Sequence, residues 1–264
     1  RLFSEIIAIW VVTFWKSIGS PKKFNLLELG AGNGEMMKVI WATLKNFPEC
    51  FNSCSFLIHE KSDFLINKQK GNLKLEKISW IKDIKQVNSH PTIFLANEFF
   101  DALPIKQFFK IKEDWIERFV DLKEKNKAEF KEQLTDIKKI EQQLNFEISK
   151  NQNIIEYSPD TFEYLKKICS IVKKNDGGIL IIDYGYLSSK MHETLQAVHG
   201  SSSVGLWEYR SNRTIRFISR MFRRTPVQLA TSATSALEST EEPLYLCHGP
   251  LFWALAWHRP DAAG

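Results

Sequence analysis

Short apolar runs and longer amphipathic stretches alternate along the first three quarters of the chain. Apolar runs bounded by turn residues or charges predict buried strands at residues 24–29, 55–60, 78–81, 92–96 and 179–183. Apolar residues at helical spacing predict helices at residues 6–15, 35–46, 64–70 and 159–174, the last with Ser158 as its N-cap. Because strands alternate with helices, the sequence predicts an α/β fold with a mostly parallel, doubly wound sheet.

The pattern changes in the middle of the chain. Residues 105–120 have the alternation of two extended segments around a turn at residues 112–114. Residues 121–150 are rich in Lys, Glu, Gln and Asn with balanced charges, which predicts a solvated helical insertion.

Composition divides the chain near residue 199. Residues 1–199 contain 27 Lys and 2 Arg, whereas residues 200–264 contain 0 Lys and 7 Arg. We expect a main domain at residues 1–198 and an atypical tail at residues 199–264, derived from another reading frame or a fusion. A genuine linker with a small appended domain is the alternative. Because the chain begins with Arg1, we also expect the main domain to be incomplete at its N-terminus.

Bulk composition excludes several classes of protein. The apolar share of 44% and charged share of 25% are those of an ordinary globular chain. The net charge of +5 comes with no concentrated basic stripe, so we expect no nucleic-acid partner. The apolar run at residues 6–15 is shorter than the ~20 residues of a membrane span. The four cysteines and the scattered histidines lack metal-ligand spacing, so we expect no metal, and Cys50 and Cys54 are predicted to share a helix face.

A glycine-rich turn follows the first predicted strand. Gly30, Gly32 and Gly34 lie between this strand and a helix, where glycine permits close approach of a ligand to the backbone. A dinucleotide loop has the spacing G-x-G-x-x-G, and its third glycine position is Glu35 here. A carboxylate beside a phosphate disfavours a nucleotide-dependent oxidoreductase. The pattern that starts at Glu28 instead favours S-adenosylmethionine (SAM), which is cationic and has no phosphates.

Two further acidic positions follow predicted strands. Glu60 ends the second strand, where an acid can accept hydrogen bonds from both ribose hydroxyls, although it could equally cap a helix or face solvent. The fourth strand is followed by Asn97, Glu98 and Asp101. These side chains could bind a cationic substrate nitrogen or accept a proton. The alternative for Asn97 and Asp101 is that they only cap turns. Edge structure is likewise an alternative for Glu156 and for the segment at residues 183–185.

The order of these segments resembles the MidA family of SAM-dependent methyltransferases. The resemblance rests on the segments FSEIIAIW (3–10), LELGAGNG (27–34), ANEFFDALP (96–104), EYSP (156–159), IDYG (182–185) and ETLQA (193–197). NEFFDALP is the most specific of them. The resemblance covers residues 1–198 and implies a class I, Rossmann-like methyltransferase fold. The closing family segment with Asp, His and Phe is not found among residues 200–264, so we expect the last strands of the sheet to be missing.

The resemblance also implies an activity. A mitochondrial complex I assembly factor belongs to the family, which implies arginine methylation of a protein substrate, with a complex I subunit as the expected partner. In that case Glu28, Gly30, Gly32, Gly34, Glu60 and Asn97 bind SAM, and Glu98 and Asp101 are catalytic. We expect a cytoplasmic location in a bacterium and the mitochondrial matrix in a eukaryote. The alternative is an assembly chaperone that binds SAM without catalysis or does not bind it.

Overall fold

The computed structural model describes residues 1–74, 77–123, 127–145, 147–150 and 152–183, and beyond them the backbone of five short strands. The helices are α1 (Leu2–Ser17), α2 (Glu35–Leu44), α3 (Pro48–Ser53), α4 (Asp63–Asn72), α5 (Ile137–Leu144) and α6 (Pro159–Asn175), with a 3₁₀ turn at Ile84–Gln86. The strands are β1 (Phe24–Leu29), β2 (Cys54–His59), β3 (Ile78–Ile81), β4 (Thr92–Asn97), β5 (Lys106–Ile111), β6 (Asp114–Lys123), β7 (Lys127–Thr135), β8 (Ile154–Tyr157), β9 (Gly177–Ile182), β10 (Gln196–His199), β11 (Ser202–Val204), β12 (Arg216–Ile218), β13 (Leu244–Leu246) and β14 (Trp253–Trp257).

Contacts along the backbone divide the chain into two units. The first unit comprises Arg1–Phe99, Leu165–Ile182 and Thr240–Gly264. The second comprises Phe100–Tyr164 and Asp183–Ser239. The domain boundary expected at residue 198 stays a prediction.

The first unit contains a seven-stranded sheet in the order β13-β14-β9-β4-β1-β2-β3. The five strands from β9 to β3 pair in parallel, as the alternation of strands and helices predicts. Every residue of β1 is buried, and four of its six residues are apolar, as expected for a strand covered on both faces. The α/β fold class with a mostly parallel sheet is therefore confirmed.

Helix α1 packs against α2 and the sheet through one face only. Ile7, Val11 and Trp15 are buried in the core, whereas Leu2 and Ile6 are exposed on the opposite side of the helix. Helix α1 ends at Ser17, shortly before Gly19, whose φ of 84° is a left-handed conformation. The predicted helix is confirmed, but its apolar surface is only partly covered within the described residues.

The second unit contains a four-stranded antiparallel sheet in the order β7-β6-β5-β8. Phe108, Trp115, Ile137 and Ile155 form its small core. The two extended segments predicted around residues 112–114 are confirmed as β5 and β6.

The prediction of a helical insertion over residues 121–150 is wrong for most of residues 121–135, where the chain forms strands. Strand β7 covers Lys127–Thr135, and α5 begins only at Ile137. Pairing with β6 outweighs the helix propensity of Lys, Glu and Gln. Arg118 donates to Glu132 across the two strands at 2.8 Å, and Lys131 pairs with Asp121, so opposite charges face each other in the sheet.

A second correction concerns the cysteines. Cys50 lies in α3, but Cys54 is the first residue of β2, so the two do not share a helix face. Helix α3 is short because the chain must turn from Pro48 into β2 within a few residues. Burial raises the pKa of the Cys50 thiol to about 12 and also raises that of Cys54, which disfavours the reactive thiolate at both positions.

Two strands of the tail extend the first sheet at the edge for which the sequence predicts missing strands. Strand β14 pairs antiparallel with β9, and β13 pairs antiparallel with β14. The run WALAW is apolar and short enough to form such a strand. In the second unit, β10, β11 and β12 form a separate antiparallel sheet.

Candidate functional site

The glycine-rich loop adopts backbone conformations that few other residues tolerate. Gly30, Gly32 and Gly34 have φ values of 65°, 54° and 84°, and side chains are strained in this left-handed region. A Cβ on Gly30 would lie 2.8 Å from the Phe99 ring, and one on Gly34 would lie 2.8 Å from the Leu73 side chain. A Cβ on Gly32 would meet no atom within 4 Å. The loop therefore packs on protein at both ends and leaves open space at Gly32.

Glu28 lies under this loop and is buried. Its carboxylate accepts a hydrogen bond from the backbone N–H of Met37, in the first turn of α2. That N–H has no partner within the helix, and the N-cap residue, Gly34, has no side chain to supply one. Burial raises the pKa of Glu28 to about 8. Among the described residues its Oε2 atom has no hydrogen-bond partner, so Glu28 offers one free polar atom beneath the loop.

Glu60 follows β2 and is held on both carboxylate oxygens. Oε1 accepts from the backbone N–H of Ser62 at 3.0 Å, and Oε2 accepts from the side-chain amide of Gln69 at 3.3 Å. A carboxylate has about four lone-pair positions, so this one retains capacity for further donors such as ribose hydroxyls. Glu60 is only 9% exposed, so it is not a fully solvated side chain, and its bond to the N–H of Ser62 also supports the start of α4.

The end of β4 carries the next candidates. Asn97 is the last residue of β4 and is partly buried, whereas Glu98 is exposed. Glu98 has a φ of 48°, and its backbone N–H donates to the carbonyl of Ile182 at the end of β9, at 2.8 Å. A left-handed Glu is uncommon and is found where the surrounding structure fixes it, often at functional sites.

The register of the sheet brings these strand ends together. Leu29 at the end of β1 pairs with His59 of β2 on one side and with Ala96 of β4 on the other. The backbone N–H of Gly30 also donates to the His59 carbonyl at 3.0 Å. The chain runs outward from β1 to β2 and β3, then returns to place β4 on the other side of β1. Ligands of open α/β sheets bind in the crevice at this kind of switch point.

Asp101 belongs to the second unit and is 4% exposed there. Its backbone N–H donates to Oδ2 of Asp183 at 3.2 Å, so these two acids are held together. Also in the second unit, Glu156 of β8 accepts from the side-chain amide of Gln107 at 2.9 Å, as expected for a residue that stabilises a sheet edge. The candidate segment at residues 184–185 and the family segment at residues 193–195 lie outside the described residues.

Gln69 is the main site residue that the sequence analysis missed. It is fully buried in α4, and its amide contacts Glu60 and also the carbonyl of Gly32, at 3.0 Å. A signal was present, because Gln69 occurs at helical spacing with the buried residues Ile66 and Leu73. A polar side chain on the apolar face of a helix requires a buried hydrogen-bond partner.

Three further properties concern metal ligands, the charge of the loop and membrane-spanning helices. Within the described part of the chain, no group of three His, Cys, Asp or Glu side chains is placed to hold a metal ion. Residues 30–35 carry no Lys or Arg, so no side chain of the loop supplies positive charge for a phosphate. In the same described part, no helix has the length and apolar character needed to cross a membrane.

A parallel sheet with a glycine-rich loop after β1 and an acid after β2 defines the Rossmann-like class of nucleoside-binding folds. Comparison with a solved structure confirms the fold. A protein from Burkholderia thailandensis, crystallised with S-adenosyl-homocysteine, matches 92% of this chain and 62% of its own chain with a TM-score of 0.69 and 16% identity. A native crystal structure from the same organism matches with a TM-score of 0.68.

The family follows from the sequence comparisons. The model of a family of S-adenosyl-L-methionine-dependent methyltransferases matches residues 6–210, and the chain belongs to this family. The protein arginine methyltransferase NDUFAF7, mitochondrial, of Xenopus laevis is 25% identical over 214 residues, covering 72% of this chain and 49% of the relative. The human protein of the same name is also 25% identical and covers 72% and 48%. The resemblance to MidA proteins is thus confirmed, and the chain spans about half the length of these curated relatives.

Proposed function

We propose that this chain binds SAM in the crevice at the ends of β1, β2 and β4 and transfers its methyl group to a nitrogen of a protein side chain. The observation that carries the proposal is the sheet register, which places Gly30 beside both the segment that leads to Glu60 and the end of β4. Family membership and the open space at Gly32 support the same ligand.

The residues of the crevice fit the chemistry of SAM. When bound, SAM supplies an electrophilic methyl group on a cationic sulfonium. The exposed Glu35 and the partly satisfied Glu60 place negative charge near the loop, and Glu60 can accept ribose hydroxyls with its remaining lone pairs. Glu28, whose Oε2 atom is buried beneath the loop, and Asn97, at the end of β4, are the remaining proposed cofactor-binding residues.

The proposed acceptor is an arginine nitrogen of a protein substrate. Glu98 of the first unit and Asp101 of the second are the proposed catalytic residues, because a carboxylate can accept hydrogen bonds from a guanidinium group. Correct alignment of nitrogen, methyl and sulfur would then supply most of the rate enhancement. The relatives are named protein arginine methyltransferases, which supports arginine as the acceptor. A complex I subunit is the proposed substrate, with the mitochondrial matrix as the location in a eukaryote and the cytoplasm in a bacterium.

Calorimetry with SAM tests the cofactor site. A Gly32→Val substitution introduces a side chain into the open space of the loop, and we expect it to weaken SAM binding more than roughly tenfold. Gly19→Val is the matched control, because Gly19 also has a left-handed φ and no atom within 4 Å of its Cβ position. The control should lose stability to a similar extent and keep its affinity for SAM. Absence of binding to the unaltered chain, or equal binding by Gly32→Val, would contradict the proposal.

A noncatalytic assembly chaperone is the second candidate. The observation that favours it is the group of exposed apolar side chains on one face of the β6–β7 hairpin of the second unit: Val120, Phe130 and Leu134. A methyl-transfer assay with arginine-containing complex I subunits separates the two functions. Turnover that falls by about 100-fold in Glu98→Gln, with SAM affinity changed less than about threefold, supports catalysis. SAM binding with no turnover in the unaltered chain would support the chaperone.

A further inference from the structure

The side chain of Gln69 is fully buried, and both of its polar atoms have hydrogen-bond partners. Its Nε2 donates to the Gly32 carbonyl at 3.0 Å and to Glu60 Oε2 at 3.3 Å. Its Oε1 accepts from the indole Nε1 of Trp80, on β3, at 2.8 Å. Trp80 can only donate, so this bond fixes which end of the Gln69 amide faces the loop. Both amide hydrogens are therefore directed at the glycine-rich loop and at the acid after β2.

The rest of α4 contacts the same loop. Asn72 donates from its side-chain amide to the carbonyl of Asn33 at 3.1 Å. The Leu73 side chain occupies the space that a Cβ on Gly34 would need. The start of α4 is fixed too, because Ser62 caps the helix through the N–H of Leu65 and donates its own N–H to Glu60. Helix α4 thus holds both the loop and Glu60, and Gln69 contacts both at once.

We propose that Gln69 is a positioning residue that couples the glycine-rich loop to Glu60, so that Glu60 recognises ribose hydroxyls only while Gln69 holds it. This inference rests on the proposed binding of SAM. The physical argument is the geometry of the carboxylate. Ser62 donates to one carboxylate oxygen of Glu60 and Gln69 donates to the other, so the orientation of the carboxylate is fixed. Its remaining lone pairs therefore point in fixed directions. Without Gln69, one of the two restraints on that orientation is lost.

The test measures discrimination between two ligands rather than affinity alone. The probes are S-adenosylhomocysteine, which is chemically stable, and its 2′-deoxyribose analogue, which lacks one hydroxyl. We expect the unaltered chain to bind the first probe roughly tenfold more tightly, because one hydrogen bond to a charged group is lost with the second. Gln69→Met keeps the side-chain volume and removes all three hydrogen bonds. In this variant we expect discrimination to fall below about twofold.

Two other variants make the measurement specific. Asn72→Leu removes a hydrogen bond to the loop and does not touch Glu60, so discrimination should stay near tenfold even if affinity falls. Trp80→Phe keeps an aromatic ring and removes the donor that orients the Gln69 amide. It should reduce discrimination to an intermediate value, and it serves as the deciding variant if Gln69→Met does not fold. Thermal unfolding of each variant reports stability separately.

The outcomes are distinguishable. If the unaltered chain does not bind S-adenosylhomocysteine, the proposed function fails, and this inference fails with it. If the unaltered chain discriminates between the probes and Gln69→Met does so equally well, only the coupling is wrong, and Gln69 serves the stability of α4. Unchanged discrimination in Trp80→Phe, in the case where Gln69→Met is unfolded, would overturn the inference in the same way.

Discussion

At the end of β1, the Glu28 carboxyl accepts the Met37 N–H and is otherwise enclosed by the core of the first unit. Burial raises its pKa from 4.5 to about 8, so the folded chain holds this proton more tightly than the unfolded chain does. The stabilisation from the bound proton is complete below pH 4.5 and is lost as the pH rises through about 8.

We expect Glu28→Gln to remove this pH dependence, because an amide keeps the acceptor for Met37 and does not ionise. Between pH 5 and pH 8 the unfolding free energy of the unaltered chain should fall relative to that of the variant by about 1 kcal/mol per pH unit. Urea unfolding at pH 5, 6.5 and 8 measures the difference. Glu113→Gln, in an exposed turn, is the control and should follow the unaltered chain at each pH. A difference that stays constant with pH would show that Glu28 is ionised in the folded state.

The cofactor-site residues differ in how far sequence could predict them. Gly30, Gly32 and Gly34 follow from spacing alone, because the left-handed backbone favours glycine at all three positions and close packing requires it at Gly30 and Gly34. Gln69 does not, because its role depends on which loop α4 packs against. The left-handed φ of Glu98 could not be predicted either, since it is fixed by a bond to β9, 84 residues further along the chain.

Among the secondary-structure elements, β9 begins under a tight steric constraint. Gly177 has a φ of 124°, and a Cβ on it would lie 2.0 Å from the backbone oxygen of Thr92 in the neighbouring β4. A backbone atom cannot give way as a flexible side chain can, so the two strands would have to separate.

We expect Gly177→Ala to destabilise the chain by about 3 kcal/mol or more. Gly71→Ala is the matched control. Gly71 lies in α4 with an ordinary φ and nothing within 4 Å of its Cβ position, so alanine there should stabilise by about 0.5 to 1 kcal/mol. Chemical denaturation of both variants gives the two values. Equal stability of Gly177→Ala and the unaltered chain would mean that β9 does not start against Thr92.

The elements also show where local sequence decides structure and where it does not. The strands β1, β4 and β9 were predictable because each is a largely apolar run that is buried on both faces. The strands β2 and β3 are partly exposed, and they were predictable as short apolar runs bounded by turn residues or charges. Strand β7 was not predictable, because its alternation of charged and apolar residues is weak and its residues favour helices. Cross-strand pairing with β6, including the ion pair of Arg118 with Glu132, decides its conformation.

For the whole molecule, the parallel core of the fold was predictable from the order of elements, and the family resemblance predicted the class of site. The tail was not, because strand pairing at the edge of a sheet depends on partners distant in sequence. Residues 253–257 pair with β9 although about 70 residues separate them. The abrupt change from Lys to Arg near residue 199 gave no information about this pairing.

The edge of β9 leads to the last prediction. Strand β9 has the sequence GGILII, which carries no charge and no proline to prevent pairing with another chain. An uncovered edge of this kind promotes association between molecules.

We therefore expect removal of residues 240–264 to increase self-association, measured by light scattering coupled to size exclusion over a range of concentrations. Leu255→Pro in the full chain should have a similar effect, because β14 lies between β13 and β9 and proline removes one of its donors. Leu255→Val keeps every backbone donor and should behave like the unaltered chain. If both the shortened chain and Leu255→Pro show the mass of the unaltered chain at every concentration, β14 does not protect the edge of β9.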